Sequence, residues 1–170
     1  MNKPVIIWGG ADIDPSLYNE QRKGCGHTDI DSDKRELNRI DQAIKNKQPI
    51  IGICRGLQML TVHQNGKLIQ HIPTQIGTKT ITDVTTKEKI PVAKAHHQVC
   101  VLNPEANPHV IAESILEDIN VYIPEVVYFP HINALGIQGH PEWANKDDKI
   151  TEYFFDKIKK YLNIEMTSWR

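Results

Sequence analysis

The sequence predicts an α/β protein in which an open, mostly parallel β-sheet is flanked by helices. Three observations carry that prediction. Short apolar runs punctuated by glycine, "PVIIW" (4–8), "PIIGI" (49–53) and "ALGIQG" (134–139), read as strands buried on both faces. Segments between them have helical spacing, with Leu37, Ile40 and Ala43/Ile44 on one and Leu57, Met59, Leu60 and Val62 on the other. The chain closes on "NKDDKITEYFFDKIKKYLN" (145–163), where Ile150, Tyr153, Phe154, Ile158, Tyr161 and Leu162 share a face.

Each element has a local reason. Val5–Trp8 is a strand ended by Gly9-Gly10. Residues 9–32, rich in Gly, Asp, Pro and Asn, form a long loop of the kind that carries function. A helix runs from Asp33 to about Lys47, with Asp33 and Glu36 spaced as a capping box. Ile50–Ile53 is a buried strand, and a helix starts directly after Cys54. Asn65-Gly66 ends that helix with residues that accept left-handed backbone. Residues 67–139 are strand-rich: "KLIQHI", "TKTITDVTT", "HQVCVL", "HVIAES", "VVYFP" and "ALGIQG" are short strands between turns. The last helix has Asp147 and Asp148 in its first turn and Lys159 and Lys160 in its last, which suits the helix dipole.

With 170 residues, the chain suits one domain spanning 1–170. Its 39% hydrophobic and 24% charged residues match a folded soluble protein, and a formal net charge of -1 argues against a nucleic-acid partner. The opening Met1-Asn2-Lys3-Pro4-Val5 lacks the apolar core of a secretory signal, and no run approaches the ~18 apolar residues of a membrane span. The three cysteines, Cys25, Cys54 and Cys100, are too few and scattered for a disulfide framework, which fits a reducing cytoplasm.

Cys54 sits at the joint between a strand and a helix, between Gly52 and Gly56. That turn pushes a side chain out at the carboxyl end of a sheet, and the helix N-terminus supplies unpaired N–H groups and a field that favours a thiolate. A glycine-flanked turn also serves as the serine hydrolases' nucleophile elbow. A cysteine nucleophile needs a base and an orienter. Eight histidines are present, but "ALGIQGHPEW" (134–143) sets His140 at the end of another apolar strand. If Pro141 keeps the backbone extended, His140 and Glu142 project to one side. Cys54, His140 and Glu142 then form a triad layout.

Four motifs in order resemble the class I glutamine amidotransferase-like superfamily, whose fold is flavodoxin-like. "PIIGICRGLQML" and "GIQGHPE" are similar to its nucleophile and His-x-Glu motifs. "GGADIDPSLY" (9–18) resembles the loop of its γ-glutamyl hydrolase branch, the peptidase C26 group, which includes γ-glutamyl-γ-aminobutyrate hydrolases. "LIQHI" and "AHHQVCV" (95–101) are similar to that branch too. The resemblance runs from Pro4 to about Trp143. It implies that Cys54 attacks a γ-glutamyl carbonyl, that His140 shuttles protons and that Glu142 orients His140. It places the oxyanion hole at the N–H groups of Gly10 and Arg55. Gln58 and the segment His96, His97 and Gln98 would hold the glutamyl moiety of a small-molecule substrate. No metal or organic cofactor is implied.

Three departures accompany the resemblance. Family members carry a strand–helix–strand stretch ahead of the GG loop, whereas this sequence starts almost at that loop. The expected consequence is a reorganised core or an edge covered by a partner, with a homodimer or a synthetase partner as candidates. Asn65-Gly66 replaces a Gly-Gly, and Gly139 replaces a bulky aromatic, which would enlarge the pocket.

Other residues have plainer readings. Cys100 lies in a strand pattern and belongs to the core, and Cys25 belongs to a surface loop. Cys25 and His27 lack the second ligand pair a zinc site requires. His63 and His71 read as surface or capping residues and Asp14 as a turn former, while Asp12 stays open. Two rival functions use the same residues: a glutaminase subunit supplying ammonia to a synthetase, and an inactive binding protein.

Overall fold

The computed structural model describes residues 3–72 and 75–169; Met1-Asn2, part of the stretch read for a secretory signal, lies outside them. In chain order the elements are β1 (Val5–Ile7), α1 (Ile30–Lys45), β2 (Ile50–Ile53), α2 (Arg55–His63), β3 (Lys67–Ile69) and β4 (Gln75–Asp83). They continue with β5 (Lys89–His96), β6 (Val99–Val101), β7 (His109–Leu116), β8 (Val121–Phe129), β9 (Ala134–Ile137) and α3 (Lys149–Leu162).

Seven strands form one open sheet in the order β1-β2-β9-β8-β7-β4-β5, and β3 pairs with β6 beside it. The sheet is parallel across β1, β2 and β9, the part that carries the site, and antiparallel from β9 outward to β5. Alternation splits the apolar side chains between two cores. Ile7, Ile50 and Ala134 join Ile40, Leu57 and Leu60 beneath α1 and α2. Ile51, Ile53, Leu135 and Ile137 join Ile150, Phe154 and Ile158 beneath α3. The α/β sheet flanked by helices is therefore present, with a helix layer on each face. No helix among the described residues is long and apolar enough to cross a membrane.

Three sequence expectations shift. The helix predicted from Asp33 starts at Ile30 because Asp29 caps it, accepting the Ser32 N–H at 3.0 Å; Asp33 is buried inside the helix. The strand β5 carries no expectation of its own, since Pro91 interrupts its pattern. It tolerates Pro91 because it lies at the sheet's edge, bonded on one side to β4. The last helix starts at Lys149, behind the N-cap Asp148.

The helix α2 has nine residues, fewer than the ~12–15 an isolated helix needs, so packing holds it; Arg55 to Val62 are all buried. It lies unusually close to the sheet. A Cβ on Gly56 would come 2.1 Å from the Ile7 carbonyl oxygen, and one on Gly52 would come 2.6 Å from the Gly56 backbone. Both contacts are with backbone, which cannot turn aside. Gly56→Ala is expected to destabilise the fold by about 3 kcal/mol or more, by analogy with overpacked cores. Thermal unfolding monitored by circular dichroism checks it, and an unchanged midpoint would refute the close approach.

Candidate active site

Cys54 is the last residue before α2, with φ 51° and ψ -107°, a backbone that costs a non-glycine residue on the order of 1–3 kcal/mol. Its N–H donates to the Ile137 carbonyl at 2.7 Å, which pins the turn to the end of β9. The same strand end delivers His140, whose N–H donates to the Ala93 carbonyl at 2.9 Å. The His140 Nδ1 lies 2.7 Å from Glu142 Oε1. The Trp143 indole stacks on the imidazole, with ring centroids 3.7 Å apart and planes within 4°. Pro141 does not hold an extended strand as the sequence suggests. It opens a short 3₁₀ turn, Pro141–Trp143, and that turn brings Glu142 back onto His140.

The structure thus brings Cys54, His140 and Glu142 together. Burial weighs most on the His140 ring and opposes its charge. The hydrogen bonds and charges of Cys54 and Glu142 outweigh burial and push its pKa up to about 9. Gly9 packs over the pair, since a Cβ there would lie 3.2 Å from His140 Cε1 and 3.7 Å from Cys54 Cβ. Gly10 lies on the side chain of Arg55, 3.2 Å from Cδ by the same measure. Arg55 forms a buried ion pair with Asp33, whose second oxygen accepts the Asp14 N–H at 2.8 Å. As the first residue of α2, Arg55 has a backbone N–H without an intrahelical acceptor.

The remaining candidates surround this centre. Gln58 is buried, and its amide donates to Gln138 Oε1 at 3.4 Å. His96 bonds the Gln98 carbonyl through Nδ1 at 3.0 Å. Burial first, then the Lys94 charge, drive its pKa down to about 4, so the ring is neutral and its Nε2 is an acceptor. That Nε2 and the Gln98 Oε1 are buried without a hydrogen-bond partner among the described residues. His97 turns the other way, pairing with Asp12 at 2.9 Å and meeting His71 at 3.2 Å. Asp12 also accepts the Gly26 N–H at 2.6 Å, so it fastens the long loop. Asp14 caps the turn Pro15–Tyr18, as its turn-forming character predicts.

Two neighbours escape sequence reasoning. Trp143 is one, and Gln138 is the other, with its Nε2 3.8 Å from Cys54 Sγ. Gln138 leaves a faint signal: it is a polar residue closing an apolar strand, two positions before His140. Gly139 does not enlarge the pocket. A Cβ there would meet Val92 Cγ2 at 2.4 Å, because β5 fills the space. Cys100 is buried as expected. Among the described residues, no group of three or more His, Cys, Asp or Glu side chains is placed to hold a metal ion.

Fold and comparisons together define the class first: a hydrolase of the glutamine amidotransferase type. The solved structure of a GMP synthase subunit from Thermoplasma acidophilum superposes with TM-score 0.64 at 17% identity, covering 94% of this chain and 72% of that one. The glutamine amidotransferase-like protein YvdE of Lactococcus lactis is 30% identical over 175 residues, 88% of this chain and 72% of that protein. The γ-glutamyl-γ-aminobutyrate hydrolase of Escherichia coli O157:H7 is 25% identical over 173 residues, 86% and 66% of the two chains. Residues 3–121 match the family described as Peptidase C26, and the chain belongs to that family.

The raised His140 pKa has a definite sign. Its charged ring contributes stability below the ordinary imidazole value of 6.5, and that contribution is lost as pH climbs through about 9. An NMR titration of the ring should show a midpoint near 9. Glu142→Gln should lower the midpoint by about one unit, the effect of losing one charged partner. A midpoint near 6.5 in the unaltered protein would contradict the pairing.

Proposed function

We propose that this chain hydrolyses a γ-glutamyl amide, with Cys54 as the nucleophile. One observation carries the reading: a thiol on a strained strand–helix turn faces an imidazole held from behind by a carboxylate. The Cys54 sulfur attacks the γ-carbonyl carbon. His140, oriented by Glu142, passes its proton to the departing amine. A γ-glutamyl thioester remains, and His140 then takes a proton from the water that hydrolyses it. The oxyanion meets the N–H groups of Gly10 and Arg55, the latter at the positive end of α2.

Recognition follows from the unpartnered acceptors. His96 Nε2 and Gln98 Oε1 are buried without donors, which suits the ammonium group of a glutamyl substrate. Gln58 bounds the site from α2, and His97 acts through Asp12 by holding the long loop. The "GGADIDPSLY" loop and the likeness to a γ-glutamyl-γ-aminobutyrate hydrolase favour a free-standing hydrolase. The amidotransferase-like relatives support a second reading, an ammonia-supplying subunit with a synthetase partner. It predicts glutamine turnover that appears only when the partner is added.

Glutamate release from glutamine, γ-glutamyl-γ-aminobutyrate and a γ-glutamyl anilide tests the proposal. Cys54→Ala and His140→Ala should each lower kcat by at least about a thousandfold while leaving the circular dichroism spectrum unchanged. Turnover that persists in Cys54→Ala would sink the mechanism.

A further inference from the structure

We infer that Gln138 is a fixed hydrogen-bond donor to the Cys54 sulfur, locked in its donating orientation by Cys100 and Gln58, and that it stabilises the thiolate. The inference deepens the proposed hydrolase reading and rests on Cys54 being the nucleophile.

Gln138 follows β9 directly, and its N–H donates to the Glu125 carbonyl at 2.8 Å, so its backbone is held by the neighbouring strand. Its side chain is buried, out of reach of bulk water. A carboxamide has one end that only donates and one that only accepts. The accepting end, Oε1, takes the Gln58 amide at 3.4 Å and the Cys100 sulfur at 3.9 Å. The donating end, Nε2, lies 3.8 Å from Cys54 Sγ.

Both groups on the oxygen side are donors. Gln58 presents its own NH₂. Cys100, buried in an apolar strand with its thiol pKa pushed up to about 12 by burial, keeps its proton. Turning the amide over would set its NH₂ against two donors and its oxygen against a developing thiolate. Only one orientation satisfies all four groups, and it points an N–H at the sulfur. A hydrogen bond to the charged form of a group favours that form.

The titratable groups around the sulfur are few. His140, with Glu142 behind it, faces it directly. Cys100 faces it across Gln138, with the buried Lys94–Glu125 pair further along the same side. Arg55, next in the chain, turns to Asp33. Gln138 is therefore the uncharged donor in this set.

The test is the rate of iodoacetamide alkylation of Cys54 against pH, with the modified peptide resolved by mass so that Cys25 does not contribute. Gln138→Met keeps the volume and removes the donor. It should raise the pH midpoint of alkylation by about one unit and lower kcat/KM about tenfold, with KM unchanged, as loss of one charge-assisted hydrogen bond predicts. An unchanged midpoint in a folded Gln138→Met protein overturns the inference. Should that variant not fold, Cys100→Ala carries the test, because it frees the amide to turn. Its midpoint should also rise, and an unchanged one overturns the lock. Alkylation needs no glutamyl substrate. Absent turnover alongside a shifted midpoint would refute the hydrolase reading and leave this one standing.

Discussion

The buried ion pair between Arg55 and Asp33 is the tie on which the site hangs. Arg55 is the first residue of α2, so its backbone borders Cys54 while its side chain reaches across to α1. Asp33 answers with both oxygens, one to the guanidinium and one to the Asp14 N–H of the long loop. Gly10 lies on the aliphatic part of Arg55. One pair thus joins the turn that bears the sulfur, the loop over it and the helix behind. Burying two charges costs much of what their attraction returns, so the pair contributes geometry more than net stability. An apolar pair of equal volume could fill the space but could not aim the loop.

The sequence is most legible where one local rule decides the structure. The run 50–53, a cysteine and two glycines can hardly make anything but a strand, a tight turn and a helix, and the structure has all three. It is least legible where a polar side chain's partner lies far along the chain. Asp33 reads as a helix cap because its spacing to Glu36 fits one, whereas its actual partner, Arg55, is 22 residues away. The strand β5 is obscured in the same way. Ile90, Val92, Lys94 and His96 alternate inward as a strand requires, but a lysine reads as surface until Glu125 is known to meet it. Gln138 draws its meaning from Cys54, Gln58 and Cys100, which the sequence does not link to it.

The segment 95–98 does two jobs that its sequence does not separate. His96 and Gln98 face inward and keep unpartnered atoms, while His97 between them faces the long loop and pairs with Asp12. Strand alternation explains the division, since neighbouring residues point to opposite sides. Gln98 is itself tied to Gln70, whose amide holds the loop at Gln21 and Lys23. The groups suited to a substrate and the groups that fasten the loop over it therefore form one connected set. A disturbance of the loop would be felt at the buried acceptors without any change in the sheet.

The parallel stack of Trp143 on His140 has a spectroscopic side. An indole in face contact with a protonated imidazole loses emission to it, and regains emission when the ring gives up its proton. Trp143 is 60% exposed, whereas Trp8 and Trp169 pack against each other elsewhere. The protein therefore carries its own optical gauge of the charge on His140, readable without a label.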